Sequence, residues 1–329
     1  MKKNYLFNFI LILLFNLTVV SSVVSESDVP WPATLSISKP QPDDCIKRIK
    51  PGSFDLKCDG LSFVLHVPDI CLKKSCGLIT DVHGWQMTGD LQDYYTNISK
   101  YGGDAGYIVI NPTAKRGVYG RSWDYQGTND SQIFSVIERV KKVFKVMEER
   151  VHITGFSQGA GMTWRLICKY PNYFASAAPI GFGAGDPLNF NGPVRIKNFT
   201  NCFKEQIDIL YAHGKKDEIV HYSGAISTVQ QIGKLWNMDK VKVLSKDENH
   251  QRVSFTNSRG TVFEFISHNW ESGFPIALNS RVTTGSQLKG HCFPGASNYI
   301  GCGRDTSFHW GQEVVNFFLE HPKKINSSN

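Results

Sequence analysis

Val151-His152-Ile153-Thr154-Gly155-Phe156-Ser157-Gln158-Gly159-Ala160-Gly161-Met162 decides how the rest of this chain is read. A short β-branched run, Val151 to Thr154, leads into Gly155-Phe156-Ser157-Gln158-Gly159, and a helix-compatible run from Ala160 to Lys169 leads out. The pentapeptide has the G-x-S-x-G form of a nucleophile elbow, a strand-to-helix bend that holds its serine in a strained conformation at the top of a sheet. Glycine is needed on both sides because a Cβ there would collide with the neighbouring strand and helix. A bare match is more often a surface turn. The flanking strand and helix give this one weight, and its tests lie elsewhere in the chain.

Outward from the elbow, apolar strands alternate with helical stretches. Leu61 to Val67 alternates and is ended by Pro68, which predicts a strand near a sheet edge. Gly77 to Val82 is a short apolar strand running into His83-Gly84-Trp85. Gly106 to Ile110 is another, stopped by Asn111-Pro112, and its lack of alternation suits burial on both faces of a parallel sheet. Asp90 to Tyr101 is read as the crossover helix between them.

The strongest helix follows Asp130 and Ser131 as cap candidates, with Ile133, Val136, Ile137, Val140, Val143, Phe144 and Met147 as its packing stripe. Beyond the elbow helix come strands over Ala175 to Ile180 and Ile207 to Ala212. A helix over Ser223 to Trp236, a strand over Thr261 to Ser267 and a last helix from about Trp310 to Glu320 complete the pattern. Strands alternating with helices predict an α/β fold, a mostly parallel central sheet with helices on both faces. There is no internal repeat and no low-complexity segment.

The chain has 329 residues, 41% apolar and 12% aromatic, enough to bury one large core without a second domain. Lys2 and Lys3, the apolar run Tyr5 to Val20 and the small residues Ser21, Ser22 and Ser25 read as a secretory signal over 1–25. That run is shorter than the roughly 20 residues a spanning helix needs, and Asn8 and Asn16 interrupt it. Residues 26–44 read as an extended lead-in, 45–322 as a single catalytic domain and 323–329 as a tail. Formal charge is +7, or 7 − 2 = +5 once Lys2 and Lys3 are removed. The basic residues are scattered, which argues against a nucleic-acid partner, and no membrane partner is expected after signal removal.

Eight cysteines, Cys45, Cys58, Cys71, Cys76, Cys168, Cys202, Cys292 and Cys302, in an exported chain point to disulfides, although about 105 pairings are open. Cys71-x4-Cys76 resembles half of a zinc site. No second pair at ligand spacing completes it, so a local bridge is expected. Sequons stand at Asn97, Asn129, Asn198 and Asn326, acceptors for glycosylation in a eukaryotic secretory pathway.

A serine hydroxyl needs an adjacent base, and the base an orienting partner. In this kind of sheet the partners follow the serine in the order acid, then histidine. Asp217, in His213-Gly214-Lys215-Lys216-Asp217, lies on a loop at the carboxyl end of a strand, where open α/β sheets place their sites. Asp208 sits inside the strand, and Glu218 is the next alternative. Later histidines are His221, His250, His268, His291, His309 and His321. His321 reads as a helix cap, and His268 and His250 have structural readings. His291, in a Gly- and Pro-bounded loop, and His309, at the entrance to the last helix, both stay open. Two backbone N–H groups should stabilise the developing oxyanion: that of Gln158, and that of Trp85 in a turn permitted by Gly84. His83 reads as a structural residue that fixes this loop.

With these blocks in place, the chain resembles the polyhydroxybutyrate depolymerase and feruloyl-esterase group of secreted α/β-hydrolases. The similarity runs from roughly Cys45 to Pro322. It rests on Val82-His83-Gly84-Trp85, the Tyr107 to Pro112 strand, the elbow block, Ala175 to Ile180, His213-Gly214-Lys215-Lys216-Asp217, Gly290-His291-Cys292-Phe293-Pro294-Gly295 and Trp310 to Phe318. The resemblance implies the α/β-hydrolase fold, with Ser157 as nucleophile, Asp217 as orienting acid and His291 rather than His309 as base. It also implies pairing of Cys168 with Cys202 and of Cys292 with Cys302. One departure is Trp85, where depolymerases of this group often carry Cys after the His-Gly pair. The donor is a backbone amide, so the role survives while the shape of the acyl pocket need not.

The implied activity is ester hydrolysis through an acyl-enzyme, with no metal or organic cofactor. The implied partner is a polyester or an ester-bearing polysaccharide. Short-chain poly(3-hydroxybutyrate) or its oligomers are the first expectation, and feruloyl or acetyl esters of plant cell-wall polysaccharide the alternative. A catalytically silent binding protein is the reading from another class. Trp123 and Tyr125 are aromatics near the site that read as packing residues before they read as a polymer grip.

Overall fold

Apolar runs flanked by glycine build the centre of the sheet, because a strand covered on both faces needs no polar alternation. In the computed structural model these runs are β3 (Gly77–Val82), β4 (Tyr107–Thr113), β7 (Val151–Phe156), β8 (Ser176–Ile180), β9 (Asp208–Gly214) and β12 (Val262–His268). The described residues are 39–118, 120–124, 127–184, 202–275 and 287–324. The expected leader over 1–25, the part of the expected lead-in up to residue 38, Tyr125, and the sequons at Asn198 and Asn326 lie outside them.

The six central strands run parallel. Antiparallel hairpins extend both ends: β1 (Gly52–Cys58) with β2 (Leu61–Val67), and β10 (Lys240–Lys246) with β11 (His250–Thr256). The full order is β1-β2-β4-β3-β7-β8-β9-β12-β11-β10. Two short ribbons lie outside the sheet, β5 (Arg116–Gly117) with β6 (Gly120–Arg121) and β13 (Ser272–Pro275) with β14 (Gln287–Lys289).

Each central strand sends alternate side chains to opposite cores. Ile108, Ile153, Ile209 and Phe263 face one cluster, and Val109, Phe156, Leu210 and Ile266 the other. Helices α3 (Thr128–Phe144), α4 (Gln158–Lys169) and α5 (Tyr222–Leu235) cover the first cluster. The second is covered by α1 (Gly89–Thr96), α2 (Ile98–Asp104) and α6 (Trp310–Glu320). No helix among the described residues is long and apolar enough to cross a membrane.

β2 lies near the edge, as expected, with β1 outside it across Asp59 and Gly60, both at positive φ (52° and 80°). Asp-Gly is the residue pair a two-residue hairpin turn favours. Several other local expectations are corrected. β4 continues through Asn111 and Pro112, which is possible because β3 pairs only with Tyr107 to Ile110, leaving no parallel-ladder bond for Pro112 to donate. The crossover between β3 and β4 is two helices, broken where Asn97 adopts the left-handed conformation. α3 starts at Thr128 rather than after Ser131: the Asp124 carboxylate accepts from the N–H groups of Gly127, Thr128 and Asn129 (3.0–3.2 Å). Asp130 is inside the first turn, buried and ion-paired with Arg165 at 2.6 Å.

Four disulfides join Cys45 to Cys58, Cys71 to Cys76, Cys168 to Cys202 and Cys292 to Cys302. The local bridge and the two implied pairs are among them. Of the two sequons described, Asn97 is exposed, whereas Asn129 is buried and donates to Gln132 at 2.8 Å.

Candidate active site

β7 ends at Phe156, and the next residue, Ser157, takes φ 53° and ψ −119° before α4 begins. No L-residue adopts that conformation without cost, so the bend must be held by its surroundings. Its N–H donates to the carbonyl of Ile180 at 2.9 Å. A Cβ on Gly155 would come within 2.5 Å of the Gly159 carbonyl, and one on Gly159 within 1.9 Å of the Val82 carbonyl. Both glycines are therefore spacers that let β7, α4 and the end of β3 meet at the serine.

His291 sits on the loop after β14, buried to 4% exposure. Its Nδ1 lies 2.6 Å from Oδ2 of Asp217. The ring packs 4.7 Å from that of Phe156, and a Cβ on Gly181 would lie 3.4 Å from its Cε1. Phe156 precedes Ser157, and Gly181 follows Ile180, whose carbonyl takes the Ser157 N–H. The imidazole thus lies against residues on both sides of the elbow.

Asp217, on the loop after β9, is buried, and its carboxylate is fully committed. Oδ1 accepts from the N–H groups of Ile219 (2.9 Å) and Val220 (2.8 Å), while Oδ2 meets His291 and, at 3.2 Å, Nε2 of His213. Burial pushes the pKa up, but attraction to His291 and the hydrogen bonds from His213 and His291 outweigh it, holding the group well below the ordinary carboxylate range. His213 is not among the site residues expected from the sequence. Its Nε2 faces two acceptors, Asp217 and the Val220 carbonyl (2.8 Å), so that nitrogen carries a proton, and the Tyr211 hydroxyl meets Nδ1 at 2.9 Å. The spacing H-x-x-x-D was the available signal.

The turn after β3 completes the constellation. The Met87 N–H donates to the Gly84 carbonyl at 3.2 Å, enclosing Trp85 and Gln86. The left-handed residue is Gln86 (φ 65°) and not Gly84, which is needed instead for close approach: its Cβ would lie 3.0 Å from the Phe156 ring and 3.3 Å from the Phe156 carbonyl. His83 has a structural place, as expected. Its Nε2 accepts from the Ala114 N–H (2.9 Å), so its Nδ1 carries the proton and donates to the Gly84 carbonyl (2.6 Å). Burial, with the nearby Arg121 charge, lowers its pKa to about 4. The side chain of Gln158 accepts from the Trp123 N–H (3.1 Å) and donates to the Ser122 hydroxyl (2.8 Å), while the Trp123 indole donates to the His83 carbonyl (2.8 Å). Trp123 is thus a buried brace of the turn, not an exposed polymer grip.

The remaining candidates have other partners. His309 packs edge-on to Tyr101, His321 bonds Asp208 at 2.9 Å, and His268 is buried against Trp270. His221 is exposed at the start of α5. Glu218 pairs with Lys289 on the surface. A decoy occurs in the β10–β11 hairpin, where His250 contacts Ser245 (3.0 Å) and Asp247 (2.7 Å). That serine lies in a strand beside a bulge and not on a strained strand-to-helix bend.

Comparison with known proteins agrees with this architecture. A phospholipase/carboxylesterase family model matches residues 128–268, from α3 through β12. The structure of an acetyl xylan esterase from Aspergillus awamori superposes with a TM-score of 0.51 at 17% identity, covering 63% of this chain and 87% of that one. The fold is the α/β-hydrolase fold. Two sequence relatives share part of the chain. A bifunctional acetylxylan esterase/xylanase of Neocallimastix patriciarum is 27% identical over 148 residues, 44% of this chain and 20% of that protein. Acetylxylan esterase A of Emericella nidulans is 31% identical over 137 residues, 38% of this chain and 43% of that protein. The chain therefore spans less than half the length of either curated relative. Within the hydrolase fold, the elbow, the acid loop after β9 and the histidine loop after β14 all open at the carboxyl edge of the sheet.

Proposed function

We propose that this chain is a serine esterase that cleaves acyl groups, acetyl first, from plant cell-wall polysaccharide through an acyl-enzyme. The observation that carries this reading is the 2.6 Å contact between His291 Nδ1 and Asp217, with the imidazole packed against Phe156, the residue before the strained Ser157. Asp217 is held ionised, so it fixes a proton on Nδ1 and leaves Nε2 as the base. In this mechanism Nε2 takes the proton of the Ser157 hydroxyl as Oγ attacks the ester carbonyl. The N–H groups of Trp85 and Gln158 hold the resulting oxyanion. Collapse expels the alcohol with the proton from His291, and water, deprotonated by the same ring, then releases the acid and restores Ser157.

Substrate choice leans on the relatives, named as acetylxylan esterases. They favour the polysaccharide alternative over the polyester that the sequence resemblance put first. Feruloyl esters belong to the same substrate class. The four disulfides favour an oxidising, extracellular setting. The deciding experiment is a hydrolysis panel of acetylated xylan, a feruloylated sugar and amorphous polyhydroxybutyrate, run with the wild type and Ser157→Ala. Acetylated xylan should be the best substrate, and the variant should lose at least about a thousandfold in kcat. Undiminished activity in the variant removes Ser157. A wild type that neither turns over esters nor reacts with a fluorophosphonate probe supports the silent binding protein instead.

A further inference from the structure

We propose that Tyr94 and Tyr299 form an aromatic rim that stacks on sugar rings flanking the esterified residue, so that this face grips a polysaccharide chain. The inference rests on the esterase reading above and assigns the part of the substrate that is not cleaved. Tyr94, on α1, is 56% exposed and Tyr299 is 61% exposed, although both belong to elements anchored in the core. Single exposed aromatics are ordinary. These two are not separate, because Asn298 donates to the Tyr94 hydroxyl at 2.9 Å and the Ile300 N–H donates to the Tyr95 hydroxyl at 3.4 Å. The residues on either side of Tyr299 thus tie its loop to Tyr94 and Tyr95.

That loop is the one that carries His291, and the Cys292–Cys302 disulfide closes it. Ring contacts run without a break from the rim to the site. Tyr94 meets Tyr95 edge-on at 5.2 Å, Tyr95 stacks on Phe293 at 5.3 Å, Phe293 lies 4.2 Å from Phe156, and Phe156 lies 4.7 Å from His291. Tyr299 is also pinned by its carbonyl, which accepts from the Ser272 hydroxyl. Leu91, on the same face of α1 one turn before Tyr94, is also exposed, as is Trp85 in the turn after β3.

The chemistry of such a rim matches a sugar better than a lipid or a plain polyester. A tyrosine offers a flat apolar face for the axial C–H groups of a sugar ring, and a hydroxyl at its edge for the ring's own hydroxyls. It does so with two side-chain torsions to order, so little entropy is lost on binding. Holding the rings before substrate arrives lowers the cost further.

The test measures kcat/KM for acetylated xylan and for 4-nitrophenyl acetate, and the rate on a polyhydroxybutyrate film relative to 4-nitrophenyl acetate, in the wild type, Tyr94→Ala, Tyr299→Ala, the double variant and Tyr94→Phe. The readout is the ratio of the two kcat/KM values. The double variant should lower that ratio about tenfold, mainly through KM for the polymer, with each single variant contributing part. Tyr94→Phe, which keeps the ring and deletes the hydroxyl together with its bond to Asn298, should lose less of the ratio than Tyr94→Ala. A ratio unchanged in the double variant overturns the rim. So does a Tyr94→Phe ratio as low as that of Tyr94→Ala, which assigns the effect to loop positioning. A ratio that falls for a polyhydroxybutyrate film and not for xylan reassigns the rim to polyester and also overturns the proposal. Failure of the wild type on 4-nitrophenyl acetate itself sinks the underlying esterase reading, a separate result from any change in ratio.

Discussion

Gly214 and Gly290 interlock: a Cβ on Gly214 would lie 2.2 Å from the Gly290 carbonyl oxygen. Reciprocally, one on Gly290 would lie 2.7 Å from the Asp217 nitrogen, and the Gly290 N–H donates to the Lys216 carbonyl at 3.1 Å. This backbone-to-backbone contact sets the separation of the acid and base loops, 74 residues apart in sequence. Gly214→Ala should therefore push Asp217 away from His291. Overpacking at such a contact costs about 1–3 kcal/mol of stability, and a displaced base lowers the rate as well. Folding should survive, with kcat reduced at least about tenfold. Steady-state kinetics beside a thermal melt separates the two, and a variant with lowered melting temperature but wild-type kcat contradicts this account.

Asp217→Asn tests the electrostatics of the same pair. The carboxylate orients the imidazole and stabilises its charged form, and an amide in its place selects the wrong tautomer. A fall in kcat of about ten-thousandfold is expected. Stability carries a second signature. Because the folded pKa of Asp217 lies below its ordinary value of 3.8, its contribution is present above that value and is lost as pH falls below it. Urea midpoints for wild type and variant should converge as pH is lowered from 6 towards 2. Parallel curves would remove Asp217 from the acid transition.

The elbow and the central strands were legible because burial enforces them. Val151 to Thr154, Gly77 to Val82 and Ile207 to Ala212 are apolar runs with no other way to be satisfied. The hairpin of β10 and β11 was missed, since Lys240-Val241-Lys242-Val243 is almost wholly exposed and no core dictates its register. The cap of α3 is hidden in the sequence because Asp130 is a better local match than Asp124, whose carboxylate acts from before the helix. His213 escaped notice because its role depends on Asp217 turning back towards β9, which one-dimensional spacing only hints at. The Gly214–Gly290 contact was beyond reach altogether, because nothing local says which two glycines will meet.

Asp81, at the end of β3, is fully buried and bonded by Gln92 and Thr96, each at 2.8 Å. Burial raises its pKa to about 7, more than those two hydrogen bonds and the repulsion from Asp93 change it. The sign follows from linkage. The folded form holds a proton that the unfolded chain releases near 3.8, so this contribution is complete below about 4 and is lost as pH rises through 7. Asp81→Asn keeps the shape and cannot ionise. Thr96 can then turn its hydroxyl hydrogen to the Gln92 carbonyl (3.2 Å) and accept from the new amide. The variant should be more stable than wild type at pH 8, with the advantage shrinking towards pH 5. A constant difference between denaturation midpoints at the two pH values would count against it.

His83 connects the end of β3 to the turn that presents Trp85. One ring nitrogen holds the Gly84 carbonyl and the other takes the Ala114 N–H, so the ring works only in its neutral form. With a folded pKa of about 4 against 6.5, its contribution to stability is present above 6.5 and is lost as pH falls towards 4. Removing the ring leaves Ser157, His291 and Asp217 untouched and frees the turn that carries one of the two proposed oxyanion donors. A donor that drifts by a fraction of an ångström is felt in the transition state more than in the bound ester. His83→Ala should therefore lower kcat on a small ester by about ten- to a hundredfold with KM little changed. The loss should be greater than the accompanying fall in melting temperature accounts for at the assay temperature. Measuring kcat and KM for 4-nitrophenyl acetate well below the variant's melting temperature decides it. An unchanged kcat means that the Trp85 turn is held without His83, or that its amide takes no part in the reaction.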